Sequence, residues 1–363
     1  MIDFNPTDAS VLEASVAAGR SELRALIELN PPSAARRARR RPGRVFGVAA
    51  ALACAALLAG VVVGLTHEST PENVGALNAV ADRVATQPDP AAMKPGDSYY
   101  TGTRFGATIW VSPKDLGSAK PGQKGWVQNE RAFEETWITP GGKLVTKTTP
   151  AMIEKSYPTA EDRRNAMSAD GGVVQGISIP LIDDTHPDRV FTVGDDHLDY
   201  AALQALPSGT AELAARLKSS VEVPSGNGET ADMMRSATAL LGYPVSSDVR
   251  AAIFRVMAGL DGVTVKQHVT DAAGRSGTSV SWLDAPYRKE LVFNPNTGVD
   301  LELRSYNVQP RAFGRDSPLP AGTLEERYTY LSRGVVGRSG ERPRAARGMI
   351  DAQARTPARS SSR

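Results

Sequence analysis

Residues 263–308 read VTVKQHVTDAAGRSGTSVSWLDAPYRKELVFNPNTGVDLELRSYNV. Val263 to Thr270 runs into the turn cluster Asp271-Ala272-Ala273-Gly274 and on into Thr278 to Leu283. Glu290 to Phe293 runs into Asn294-Pro295-Asn296-Thr297-Gly298 and on into Val299 to Val308. β-Branched and aromatic side chains suit a pleated, half-buried surface, while Asp, Asn, Pro and Gly supply turn geometry. Strands joined by turns this short run antiparallel, because a parallel crossover needs a dozen or more residues. The stretch therefore predicts a meander, completed by a strand from Glu326 to Leu331. With helices on its apolar face, the fold class is an α+β domain: an antiparallel sheet of hairpins packed on a central group of helices.

Those helices lie immediately upstream. Ser208 is placed to cap Thr210 to Lys218, Thr230 opens a run that stops at Gly242-Tyr243-Pro244, and Ser247 is placed to cap Val249 to Ala258 before Gly259. Met233, Met234, Leu240, Ile253, Phe254 and Met257 form their apolar faces; a Met-lined ligand groove is the sharper alternative. Further upstream the β signal returns. Tyr99 to Val111 is one strand, and Trp126 to Thr139 and Lys143 to Thr149 make a hairpin over Pro140-Gly141-Gly142. A polar helix comes next, near Ala160 to Ser168, then short strands at Val173 to Ile179 and Arg189 to Val193. Trp110, Trp126, Trp137 and Trp282 all fall in strands. Core packing accounts for them, and a concave sheet holding a lipid or hydrophobic ligand is the functional alternative.

Outside the domain, Val45 to Leu65, VFGVAAALACAALLAGVVVGL, contains no charged side chain. As a helix it is about 32 Å long, against a hydrocarbon core of roughly 30 Å, and it is expected to span the bilayer once. Arg36, Arg37, Arg39, Arg40, Arg41 and Arg44 precede it, and no Lys or Arg occurs after it until Arg83. This asymmetry orients the N-terminus to the cytoplasm and the C-terminal domain outside the cell membrane. A cleaved signal has a shorter leader and a shorter apolar run, and Cys54 sits inside the run without the Leu of a lipoprotein site. In residues 1–44 a short helix is expected from Val11 to Leu29, with Leu12, Val16, Leu23 and Ile27 near one face. It either lies on the membrane surface or docks a cytoplasmic partner. Residues 66–97 are expected to form a juxtamembrane helix, from Asn73 to Thr86, and a Pro-rich linker. The α+β domain then occupies 98–337, and an Arg-rich tail, 338–363, has the composition of a disordered segment.

The 363 residues carry a net charge of +2, distributed unevenly. Residues 1–44 contribute +3 and residues 338–363 contribute +5, so 66–337 carries 2 − 3 − 5, or −6. The basic ends are explained by topology and composition, so no nucleic-acid partner is expected. The single Cys lies within the apolar run, which excludes disulfides and Cys-based zinc sites in the exported part. No phosphate loop, nucleophile elbow, H-E-x-x-H or dinucleotide fingerprint occurs, and no cofactor or catalytic residue is identified. The one crowded polar patch comprises Asp183, Asp184, His186, Asp195, Asp196 and His197, with Asp188 and Asp199 nearby. It is either a divalent-cation site built from two loops or a set of turn residues whose carboxylates satisfy the backbone.

Taken in order, the chain resembles an uncharacterised actinobacterial family of single-pass envelope proteins. The segments that carry the resemblance are the short N-terminal helix, the Arg cluster and apolar run, QPDPAAMKPGDSYYTGTR, LPSGTAELAARLKSS, VRAAIFRVMAGLDGVTV, VTDAAGRSG, LVFNPNTGVDLE and YTYLSRGVVGRSGERP. These are turns, caps and apolar helix faces, so they identify a family without specifying a chemistry. By organisation, the resemblance implies a membrane-anchored sensor or regulator of the anti-sigma type. Its partners would be the bilayer, a cytoplasmic protein such as a sigma factor, and an extracytoplasmic lipid or wall ligand.

Overall fold

The computed structural model describes residues 71–111, 123–169, 182–185, 191–222, 224–309 and 319–344, all within the compact unit Leu58–Arg363. The expected cytoplasmic helix, the Arg cluster, the apolar run Val45 to Leu65 and the strand Val173 to Ile179 lie outside the described residues. Among the described residues, no helix is long and apolar enough to cross a membrane.

The sheet contains the expected meander and extends it. Strands β7 (Thr264–Thr270), β8 (Ser276–Asp284), β9 (Tyr287–Phe293), β10 (Asp300–Asn307) and β11 (Leu324–Val336) succeed one another as neighbours. A second meander, β1 (Ser98–Val111), β2 (Trp126–Ile138), β3 (Lys143–Ser156) and β4 (Ile182–Thr185), continues the same sheet. The two halves are joined where β1 pairs antiparallel with β11, from Ser98 opposite Val336 to Ala107 opposite Glu326. The order is β4-β3-β2-β1-β11-β10-β9-β8-β7. A separate hairpin pairs β5 (Phe191–Val193) with β6 (Asp196–Leu198).

Helices cover one face of the β7–β10 half. They are α1 (Pro71–Ala85), α3 (Tyr200–Gln204), α4 (Thr210–Ser219), α5 (Glu229–Leu241) and α6 (Ser247–Ala258); the polar α2 (Ala160–Ala169) lies beside β2. Strand alternation presents Val280 and Trp282 of β8 and Leu291 and Phe293 of β9 to this layer. Met233, Met234, Leu240, Ile253, Phe254 and Met257 meet them as expected, and the Phe254 and Phe293 rings pack 4.8 Å apart. Trp126, Trp137 and Trp282 are buried, and Trp110 is half-buried.

Several expectations are corrected. The helix expected beside the membrane is α1, and it belongs to the core: Leu77, Val80, Ala81 and Val84 are buried in the same cluster as α6. The N-cap of α6 is Ser246, whose Oγ accepts from the Val249 backbone N–H, rather than Ser247. Ser247 instead donates twice to Asp89. The N-cap of α4 is Gly209, not Ser208, and it makes no side-chain cap bond. Finally, the fold continues past Arg338. Trp137 Nε1 donates to the Glu341 carbonyl at 2.5 Å, and Arg342 clasps Glu135 at 2.5 and 2.6 Å. The Glu135 carboxylate is 1% exposed, so the segment to Arg344 closes the sheet face opposite the helices. Residues 345–363 lie outside the described ones.

Candidate functional site

Two interruptions of strand register build the main cleft. Opposed residues in a ladder share a face, and an extra residue in one strand moves the residues after it to the other face. Between β1 and β11, Gly102 opposes Ser332 while Thr103 opposes Tyr330, so Leu331 is the extra residue. Tyr330 and Arg333, three apart, therefore both point to the helix side. In β10, Asp300 opposes Phe293 while Glu302 opposes Val292, so Leu301 is extra and Asp300 joins the same side. Arg333 Nη1 pairs with Asp300 Oδ1, and the Arg333 guanidinium stacks 3.9 Å from the centre of the Tyr330 ring.

The pair divides the space between sheet and helices into two chambers, which share Tyr99, Asp300, Tyr330 and Arg333. The larger, of about 630 Å³, is walled by Gln87, Pro88, Pro90 and Ala91 after α1, by Arg250 of α6 and by the turn residues Thr297 and Val299. The smaller, of about 410 Å³, is walled by Thr238 and Tyr243, Ile138, Trp282, Leu303 and Lys289. Gly298, at φ +66°, lets the β9–β10 turn approach the helices closely. A Cβ there would fall 2.7 Å from Val84, 2.8 Å from Phe254 and 3.1 Å from Arg250 Cδ.

Burial pushes Arg333 down to about 10, and Arg250 and Arg275 push the same way. Burial also lowers Arg250. The cleft thus gathers guanidinium groups that repel one another.

No protein-family model and no curated protein matches the chain. Among solved structures, it is similar to one described as the complex structure of Pseudomonas aeruginosa MucA/MucB, at 11% identity over 78% of this chain, with a TM-score of 0.21. The chain spans 61% of the length of that neighbour.

The sequence-derived polar patch is distributed over separate elements. Asp183 and Asp184 stand on β4, opposite Val145 and Leu144, at the edge of the large sheet. Asp195, Asp196 and His197 stand on the β5–β6 hairpin, and His186 lies outside the described residues. Asp195 accepts from the Glu222 N–H at 2.8 Å, Asp196 pairs with Arg216 at 2.5 Å, and Asp199 caps α3 through the Ala202 N–H at 2.6 Å. His197 Nδ1 lies 3.4 Å from Thr192 Oγ1. Among the described residues, no group of three or more His, Cys, Asp and Glu is placed to hold a metal ion. Leu12, Val16, Leu23 and Ile27 lie outside the described residues.

Sequence reading missed Arg250, Asp300, Tyr330 and Arg333. Their separation in the chain offers no motif, and the bulges that bring three of them to one face leave no mark in the residue pattern. The available signal was Arg250 in the first turn of a helix whose later residues, Arg255 apart, are apolar, VRAAIFRVMAG.

Proposed function

We propose that this chain is a single-pass, membrane-anchored envelope protein without catalytic activity, whose outer domain is a sensor coupled to a short cytoplasmic helix, in the manner of an anti-sigma regulator. The observation that carries the reading is the route of the chain between the apolar run and the cleft. Helix α1 begins at Pro71, six positions after Leu65. It packs along α6 and leads directly into Gln87, Pro88, Pro90 and Ala91, which wall the larger chamber. A ligand in that chamber touches the segment at the C-terminal end of α1, the helix whose N-terminal end follows the apolar run in the chain. Its differential affinity for two positions of α1 supplies the coupling free energy. The cytoplasmic partner is a sigma factor in this reading, and membership of the actinobacterial envelope family belongs to the same proposal.

The test is in-cell photo-crosslinking with probes at Leu12, Val16, Leu23 and Ile27. A captured RNA polymerase sigma subunit, lost when Leu23 and Ile27 become Asp, is the expected result. Capture of lipid alone rejects the regulatory part.

A second reading is favoured by the walls of the smaller chamber, where Ile138, Trp282 and Leu303 offer an apolar surface. In it the protein is an envelope binding protein for a lipid or hydrophobic ligand, and the cytoplasmic helix is part of the anchor. A lipid that co-purifies with the full chain and is displaced by Leu303→Arg supports it.

A further inference from the structure

The cleft concentrates positive charge in a segment that is acidic overall. Arg235, Lys289, Arg250, Arg275 and Arg333 line it, against Asp284 and Asp300. Most of these cations are occupied. Arg333 holds Asp300, Arg275 holds Asp271 and the Leu301 carbonyl, Arg235 lies between Asp232 and Asp284, and Lys289 donates to Ser305.

Arg250 differs. It is 8% exposed, it lines the larger chamber, and among the described residues nothing accepts a hydrogen bond from its Nε. The carboxylate acting on it, Asp89, already accepts from Ser247 N and Oγ at 2.7 and 2.6 Å. Three further buried donors around the cleft share this condition: Arg333 Nε, Trp282 Nε1 and Thr238 Oγ1 have no hydrogen-bond partner among the described residues. Native proteins rarely leave buried donors unmade, and a donor on a charged guanidinium is the costliest of them. Arg250 and Arg333 line the larger chamber, and Trp282, Thr238 and Arg333 line the smaller one.

We infer that the larger chamber is a binding site for an oxyanion of the phosphate class, free or as the headgroup of an amphiphile, with Arg250 as its principal ligand residue. A guanidinium presents a planar fork that matches phosphate oxygens, and the neighbouring Arg275 and Arg333 supply the field that holds the charge. Pro88, Pro90, Val299 and Leu331 offer an apolar wall to whatever the anion is attached to. The inference rests on the cleft being the ligand site of the outer domain.

The test uses the full chain purified in a non-ionic detergent. Calorimetric titration with inorganic phosphate is compared with titration by short-chain phosphatidylglycerol and by phosphatidylcholine of the same chain length. Binding of phosphate or phosphatidylglycerol is expected, weakened about tenfold or more by R250M and partly retained by R250K. Because R250M alters a buried site, A91E supplies an independent variant: Ala91 is exposed on the chamber wall, and a carboxylate there opposes an anion. R216Q, on the far pair with Asp196, leaves binding unchanged. Tighter binding of phosphatidylglycerol than of phosphate identifies a headgroup, and equal binding identifies the free anion. The proposal is overturned if neither binds, if phosphatidylcholine binds equally well, or if A91E and a folded R250M bind like the parent. Absence of anion binding with the sigma subunit still captured removes the ligand class and leaves the sensor reading standing. Binding without capture does the reverse.

Discussion

Asp300 governs the state of Arg333. Its side chain is 1% exposed, that of Arg333 is 11% exposed, and the pair sits where water cannot solvate either charge fully. Removing one member of a buried pair costs more than the pair itself contributes, because the other charge stays behind. Asp300→Asn is therefore expected to lower unfolding stability by about 3 kcal/mol, read by urea denaturation. The double variant Asp300→Asn, Arg333→Met recovers much of that loss, and a non-additive cycle of this kind distinguishes pairing from packing. Neither residue was conspicuous in the chain, since Asp300 and Arg333 occupy different strands and the segments that hold them specify no chemistry. By contrast, the apolar residues of α5 and α6 were legible one by one. Helical spacing alone makes Met233, Met234, Leu240, Ile253, Phe254 and Met257 core residues, and each is buried.

At the scale of elements, the tether between the segment after α1 and the start of α6 is a single carboxylate. Asp89 Oδ1 accepts both bonds from Ser247, and the Ser247 hydroxyl bond is the largest of the effects that hold its carboxyl below the usual 3.8. A carboxylate depressed on folding contributes stability above its unfolded value, and that contribution is lost as pH falls through the folded one. The parent protein is thus expected to lose this increment only below pH 3.8. Asp89→Asn is expected to lack it at neutral pH and to show a flatter acid limb, as measured by thermal melts across pH. At neutral pH the loss is about 0.5–1 kcal/mol, because Asp89 is exposed and its hydrogen bonds compete with water. Equal acid limbs in the two proteins exclude the tether. Here the sequence reading came within one residue: Ser246 and Ser247 are both good capping side chains, and only the approach of Asp89 assigns one to the helix and the other to the linker.

At the scale of the whole molecule, the C-terminal segment closes the face of the sheet that the helices leave bare. Tyr100, Trp137 and Val336 form a small cluster there, and Glu135 is satisfied by Arg342 together with the Tyr100 hydroxyl. A chain ending at Gly337 is expected to be less stable than one ending at Arg344 by about 3–5 kcal/mol, since it strands the Glu135 carboxylate and uncovers Trp137. Comparison of the two chemical denaturation curves checks this. Equal midpoints would show that the segment adds nothing. Composition alone assigned these residues to the tail, because Arg, Gly and Ser in sequence look alike whether solvated or paired. The sequence by itself determined the features that depend on near neighbours: most strands, the central helices and the short turns of the meander, all set by side-chain period and turn chemistry. The tertiary structure decided the features that depend on distant partners. It set the β1–β11 pairing that fuses two meanders, the entry of α1 into the core, and the bulges at Leu301 and Leu331. The first two of those choices are made by contacts between residues far apart in the chain, as Ser98 and Val336 are. Local periodicity carries no information about them.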